Sequence, residues 1–207
     1  MVIQLDEIEA RVLGALVEKS LTTPDLYPLT LNGLVNACNQ KTSRDPVLSL
    51  DEATVAKGLH SLIGKSLAGR LHEPGGRVPK FMHHIEFLLN TEEPKTVATI
   101  CVLLLRGPQT PGEIKTRTDR LCEFSGTAEV EFLLQDLSLR AEPWVAKLPR
   151  QPGQKEVRYR HLFSAAPTGL WNRSRSGVSP AAPRLARSRV TRNEARRKVR
   201  RTPCCSW

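Results

Sequence analysis

The chain has 207 residues, which is compatible with one large core or two small modules. Its hydrophobic fraction of 40% is near the globular norm and is enough for a packed core. The longest apolar run, residues 97–105, is far below the roughly 20 residues that a membrane helix needs. The acidic start, MVIQLDEIEA, lacks the apolar segment of a signal peptide, so we expect a cytoplasmic protein without membrane contact.

The formal net charge of +10 comes from the end of the chain. Residues 164–207 contain ten Arg and one Lys against the single acid Glu194. Removing these from the totals of 31 basic and 21 acidic residues leaves 20 of each sign in residues 1–163. Net charge therefore does not by itself indicate that residues 1–163 bind nucleic acid.

The first half of the chain is predicted to contain three helices and a hairpin. Apolar residues recur at helical spacing over residues 5–17, and a second helix is predicted over residues 29–38. A third helix is predicted to open with the capping box Ser49 to Glu52. The segment AGRLHEPGGRVPKFMHH then has short extended runs around a Pro-Gly-Gly tip, which is typical of a hairpin.

The same order of elements recurs in the second half. TVATICVLLLRG is apolar on nearly every side and predicts a buried helix. Thr110 to Glu113 forms a capping box that starts the next helix, and a third is predicted over residues 127–140. WVAKLPRQPGQKEVRYRHLF alternates around a Gln-Pro-Gly tip, which predicts a second hairpin.

Three helices followed by a hairpin is the element order of a winged helix. Four segments, EARVLGALVEKSLTTPDLYPLTLNGLVNACNQKTSRDPV, RVPKF, LLLRGPQTPGEIKTRTDRL and LPRQPGQKEVRYRHL, resemble the YceH-like family of bacterial proteins. The resemblance covers about residues 5–163 and implies two winged-helix units in tandem; the family brings no established reaction or ligand. We predict a mainly α fold with small β-hairpins (α+β), with units at residues 1–90 and 91–163.

The chain departs from that family after Phe163. Residues 164–207 are rich in Arg, Pro, Ser and Ala and show no apolar period, which predicts a disordered tail. Two interpretations remain open: a basic arm that binds nucleic acid, or an out-of-frame or read-through extension of a GC-rich gene.

The segment after the second helix is unusually polar for a helix end. Asn39, Gln40, Lys41 and Arg44 offer amides and cations that suit phosphates or base edges. An internal role is equally compatible with the composition, because such side chains also satisfy helix-end carbonyls and Arg44 can pair with Asp45 or Asp51. The family resemblance favours a functional surface.

Both predicted wings are basic. The candidate contacts there are Arg77, Lys80, Arg150, Lys155 and Arg158. The third helix of the second unit is acidic, which disfavours its insertion into a DNA groove. These patterns predict a DNA-binding protein with a regulatory role, and the alternative is a protein-interaction scaffold without direct nucleic-acid binding.

No enzymatic pattern is present in the sequence. The five cysteines form no C-x-x-C pair or His-spaced metal pattern. His83 and His84 are adjacent in a predicted strand and therefore point to opposite faces. We predict no catalytic residue, metal or cofactor, and the sequence specifies no oligomeric state.

Overall fold

A computed structural model describes residues 3–72, 78–150, 153 and 156–164. The helices are α1 (Glu7–Thr22), α2 (Leu31–Cys38), α3 (Glu52–Gly64), α4 (Ile85–Leu89), α5 (Pro94–Arg106), α6 (Pro111–Thr118) and α7 (Thr127–Leu139), with a short 3-10 turn at Pro24–Leu26. The strands are β1 (Leu29–Thr30), β2 (Ala68–Leu71), β3 (Lys80–His83), β4 (Val145–Lys147) and β5 (Tyr159–His161). The predicted α+β class, mainly helical with small hairpins, is confirmed.

Two runs of three helices followed by an antiparallel strand pair are present. In the first, β3 lies between β1 and β2, and Leu29 is opposite Phe81. In the second, β4 pairs with β5, and Lys147 is opposite Tyr159. Predicted helices thus correspond to α1, α2 and α3, then α5, α6 and α7.

Helix α1 lies at the centre of the packing. Its start is a capping box in which Asp6 accepts from the Glu9 N–H and Glu9 accepts from the Asp6 N–H. Its apolar residues pack against α2, α3 and α5, so nearly the whole middle of the helix is buried. Three charged residues, Glu9, Arg11 and Glu18, are buried with them and require internal partners.

The contact between α1 and α5 joins the two predicted units. Gly14 allows it, because a Cβ there would lie 2.9 Å from side-chain atoms of Leu105 and 3.2 Å from Leu104. The two halves share one hydrophobic cluster, and the described residues all belong to one compact unit. The boundary at residue 90 falls in the link between α4 and α5 and stays a prediction.

Several local predictions differ from the structure. The capping residue of α3 is Asp51, which accepts from the Thr54 N–H, so the predicted Ser49 box is wrong by two residues. Residues 29–30 form β1 because they pair with β3, and α2 starts after them. The Thr110–Glu113 capping box is confirmed. Helix α4 and strand β1 were not predicted.

The two ends of the described chain meet. The Leu5 N–H donates to the Phe163 carbonyl at 2.6 Å, and Leu5 forms an isolated parallel bridge with Ser164. Phe163 is buried, so the packed core extends to this point. The predicted disordered tail, beyond Ser164, lies outside the described residues.

Candidate nucleic-acid interface

Arg44 has a structural position. Its side chain is fully buried, and its guanidinium donates to the carbonyls of Ala37 and Ser43. One nitrogen also lies 2.6 Å from Glu18 of α1. The prediction of Arg44 as a surface contact for nucleic acid is therefore corrected, because its donors are used inside the protein. Its ionic partner is Glu18, which is distant in sequence, and neither Asp45 nor Asp51.

Asn39 likewise serves the fold. Its side-chain amide donates to the Leu50 carbonyl and accepts from the Leu50 N–H, each at 2.8 Å. These two bonds close the loop between α2 and α3. Asn39 could contact a base edge only after these two hydrogen bonds break. It is therefore a weaker candidate for DNA contact than Gln40 and Lys41.

Arg11 supports the same loop from α1. It donates to the carbonyls of Cys38 and Pro46 at 3.2 and 2.6 Å. Burial, followed by the charge of Arg44, lowers the pKa of Arg11 to about 10. Sequence analysis missed Arg11 and Glu18, although charged residues on an apolar helix are a signal for internal pairing.

Gln40 and Lys80, two predicted contacts, lie together. They line a groove between the end of α1, α2 and the strands β1 and β3, with a volume of about 360 Å³. Its polar lining residues are Lys19, Thr23, Thr30, Asn36, Gln40 and Lys80. We call this the α2 groove. It collects two ammonium groups, two amides and two hydroxyls, and none of its described lining residues is acidic.

Two lysines near the α2 groove, Lys19 and Lys41, differ in their exposure and in their ion pairs. Lys19 lies 3.7 Å from Glu18, but that carboxylate is held more closely by Arg44. Lys41 is exposed at the end of α2 and makes no ion pair within the described part of the chain. Lys41 is therefore the more accessible of the two, since the Lys19 side chain is only 17% exposed.

The predicted wing contacts other than Lys80 fall into three groups. Arg77 and Lys155 lie outside the described residues. Arg150 is exposed. Arg158 forms two hydrogen bonds to Glu113, at 2.6 and 3.0 Å, and one to the Pro108 carbonyl. This bidentate pair holds the second hairpin against α6, so Arg158 would have to exchange Glu113 for a phosphate.

Helix α7 presents a surface of another kind. Phe132 is 77% exposed and Leu139 is 75% exposed, and they are seven positions apart, so they share one stripe of the helix. Glu131, Asp136 and Arg140 flank the stripe. Large exposed apolar side chains beside acids are suited to contact with another protein. They are unsuited to contact with the anionic DNA backbone.

The histidines of the first hairpin have structural partners. The His83 Nε2 lies 2.9 Å from the Ser20 hydroxyl, and the His83 N–H donates to the Tyr27 hydroxyl. Burial is the main cause that lowers the pKa of His83. Within the described ranges, no group of three His, Cys, Asp or Glu side chains is arranged to hold a metal ion.

Every helix in the described part of the chain is too short or too polar to cross a lipid bilayer.

Comparison with known proteins extends over most of the chain. Residues 5–154 match the family described as "Protein of unknown function, DUF480". A "UPF0502 protein" of Geotalea daltonii is 50% identical over 167 residues, which are 81% of this chain and 76% of that protein. A "UPF0502 protein" of Citrifermentans bemidjiense is 53% identical over 163 residues, which are 79% and 75% of the two chains.

A third relative, a UPF0502 protein of Photobacterium profundum, is 50% identical over 171 residues, which cover 79% of this chain and 76% of the relative. These matches confirm the YceH-like resemblance. The chain belongs to this UPF0502 family of bacterial proteins.

Proposed function

We propose that the chain binds duplex DNA and that the α2 groove contacts the backbone phosphates. The observation that carries this proposal is the convergence of Lys19, Lys80, Asn36 and Gln40 in one groove without a lining acid among the described residues. Lysine ammonium groups and the side-chain amides of Asn and Gln are among the groups that contact DNA phosphates. The groove joins the link after α2 to the first hairpin, which are the two parts that the sequence indicates.

The order of elements supports the same function. Three helices followed by a hairpin, present twice, are interpreted here as two winged-helix units, a fold that often presents a helix and a wing to DNA. The helix α7 of the second half carries the acids Glu131 and Asp136 on its exposed face, so we assign phosphate contacts to the first half.

Binding to a random-sequence duplex across a salt series tests this function. A chain ending at Ser164 removes the Arg-rich tail, whose charge would add its own contacts. We expect Lys19→Gln with Lys80→Gln to reduce the slope of log affinity against log salt by about two units, since each lost phosphate contact removes about 0.9. The matched control is Lys57→Gln with Lys147→Gln, two exposed lysines outside the groove. Equal slopes in both double variants would contradict the assignment.

Protein interaction is a second candidate function, and the exposed stripe of α7 favours it. We propose a second copy of this chain as the partner, because the stripe complements itself. In an antiparallel pair of α7 helices, Phe132 lies opposite Leu139 of the second copy. The exposed apolar side chains of both copies then meet in the contact.

Sedimentation velocity over a range of concentrations tests this contact. Only two large apolar side chains per copy are covered, so we expect a weak dimer. Phe132→Ser with Leu139→Ser should make it monomeric without unfolding it, because both side chains are exposed. A parent chain that is monomeric at every concentration would refute the contact.

A further inference from the structure

Three arginines from the second half surround a small cleft beside the α2–α3 loop. The cleft is lined by Arg106 at the end of α5, by Arg117 of α6 and by Arg120 just after α6. Ser43 of the loop and the carboxylate-bearing Glu18 of α1 complete its polar lining. The enclosed volume is about 10 Å³, roughly the space that one water molecule or one phosphate oxygen occupies. We call this the arginine cleft.

The charges of the arginine cleft are only partly balanced by the protein. The Arg106 guanidinium is partly buried and makes no hydrogen bond or ion pair within the described chain. Burial and the nearby charge of Arg117 lower the pKa of Arg106, in that order. Arg117 has Glu113 at 3.9 Å, but Glu113 is already bound by Arg158 at 2.6 Å. The two like charges therefore lie near each other, and Asp45 and Glu18, the acids that act on Arg106, make no ion pair with it.

Glu18, the acid among the described lining residues of the cleft, already forms an ion pair with another arginine. Glu18 binds Arg44 at 2.6 Å through one oxygen, and its other oxygen lies 3.7 Å from Arg120. Because Arg44 is fully buried, it requires that carboxylate, and the pair carries no net charge. Arg120 is instead 66% exposed and donates to the Ser43 hydroxyl at 2.9 Å. The mouth of the cleft is thus cationic and has a hydroxyl at its edge.

We propose that the arginine cleft binds a phosphate group, with Arg106, Arg117 and Arg120 as the donors and Ser43 at the rim. Guanidinium groups bind phosphate through paired N–H donors, and phosphate offers the opposite charge that Arg106 and Arg117 lack. One phosphate oxygen fills the small cavity, and the others face the exposed Arg120. Since Ser43 belongs to the first half and the arginines to the second, the phosphate links the two.

This site is separate from the α2 groove and does not depend on the proposed DNA binding. The phosphate can belong to free phosphate or a phosphate ester, or to a nucleic-acid backbone. Both sources present the same phosphate oxygens as hydrogen-bond acceptors, so the cleft would bind them through the same contacts. The experiment below distinguishes the two sources.

Thermal melting of the full-length chain in inorganic phosphate tests the cleft, with sodium chloride at equal ionic strength as the reference. At about ten times the Kd we expect Tm to rise by about 3 to 6 °C. Arg106→Gln with Arg117→Gln should abolish the rise and leave Tm in chloride unchanged or higher, because the variant removes a repulsion. The control Arg70→Gln, an exposed arginine on β2, should keep the rise. An equal rise in all three chains would reflect a general salt effect and overturn the proposal.

A second arm separates the sources. If inorganic phosphate gives no rise but the Arg106→Gln/Arg117→Gln variant loses about two units of salt slope on duplex DNA, the cleft takes a backbone phosphate. If neither measurement responds, the cleft binds no phosphate and the proposal is refuted. A phosphate-dependent rise in a chain that shows no DNA binding would leave the cleft standing and refute the DNA function alone.

Discussion

Arg44 lies 2.6 Å from Glu18, which is 26 positions earlier in the chain, and both side chains are buried. The same guanidinium also binds the carbonyl of Ala37 near the end of α2. One side chain therefore ties the α2–α3 loop to the central helix and satisfies a helix-end carbonyl. Within this loop Arg44 therefore supports the fold, whereas Gln40 and Lys41 are the residues that remain candidates for surface contacts.

We expect Arg44→Ala to destabilise the chain by about 3 to 5 kcal/mol, because the buried Glu18 carboxylate loses its closest partner, at 2.6 Å, and keeps only Lys19 and Arg120 at 3.7 Å. Lys41→Ala, three residues away and exposed, should cost on the order of 0 to 1 kcal/mol. Urea unfolding of both variants measures the difference. Arg44→Met with Glu18→Met should recover much of the loss, since it removes both charges from the interior. Equal midpoints for the two single variants would show that the ion pair does not support the fold.

The packing of α5 leads to a second prediction. Leu104 is 1% exposed and contacts the position of Gly14 in α1. Leu104→Asp should prevent cooperative folding of the whole described unit, because an unpaired carboxylate there costs several kcal/mol, comparable to the stability of a domain. Circular dichroism during heating provides the measurement. The control Phe132→Asp places the same carboxylate on an exposed helix position and should melt cooperatively. A native-like transition in Leu104→Asp would mean that α5 is not central.

Local patterns were sufficient for much of the fold. The all-apolar run from Val97 predicted α5, and the spacing from Thr110 to Glu113 predicted the start of α6, because both signals depend on residues within one or two helical turns. Strand β1 was missed since two residues carry no period, and they become a strand only through pairing with β3.

The candidate site was harder to predict for the same reason. The role of Arg44 depends on Glu18, and the arginine cleft brings together Arg106, Arg120 and Ser43 from separate segments. The same side chains can support the fold from inside or contact a ligand at the surface, so composition does not distinguish the two roles. Burial in the structure does. A usable signal was present in α1, where charged residues interrupt an apolar helix.

A third prediction concerns the Arg-rich end of the chain. Ending the chain after Ser164 should leave Tm unchanged within error, because the described core includes Phe163 and its hydrogen bond to Leu5. Non-specific DNA affinity and its salt slope should fall, since ten arginines are removed. Calorimetry and fluorescence anisotropy on the two chains measure both effects. A large drop in Tm would show that the tail stabilises the core.

His161 on β5 makes the stability depend on pH. Its ring is buried, its Nδ1 has no hydrogen-bond partner among the described residues, and it stacks near Phe163 with a centroid distance of 6.3 Å. Burial, followed by the charge of Arg160, lowers the pKa of His161 to about 4. The folded protein therefore holds the neutral ring at pH values where an unfolded chain, with a pKa near 6.5, takes up a proton.

Because the folded pKa lies below the unfolded pKa, stability is fully present above pH 6.5 and is lost as pH falls toward 4. The expected slope is about 1.4 kcal/mol per pH unit for this single proton. His83, whose pKa is also lowered, acts in the same direction, whereas the lowered pKa values of Glu9 and Glu113 act only below about 4.5. His161→Leu removes the contribution of His161 to this pH dependence and leaves those of His83, Glu9 and Glu113. Urea unfolding from pH 7 to 4.5 should therefore show a shallower loss of stability in the variant, and parallel profiles would mean that His161 is protonated in the folded protein.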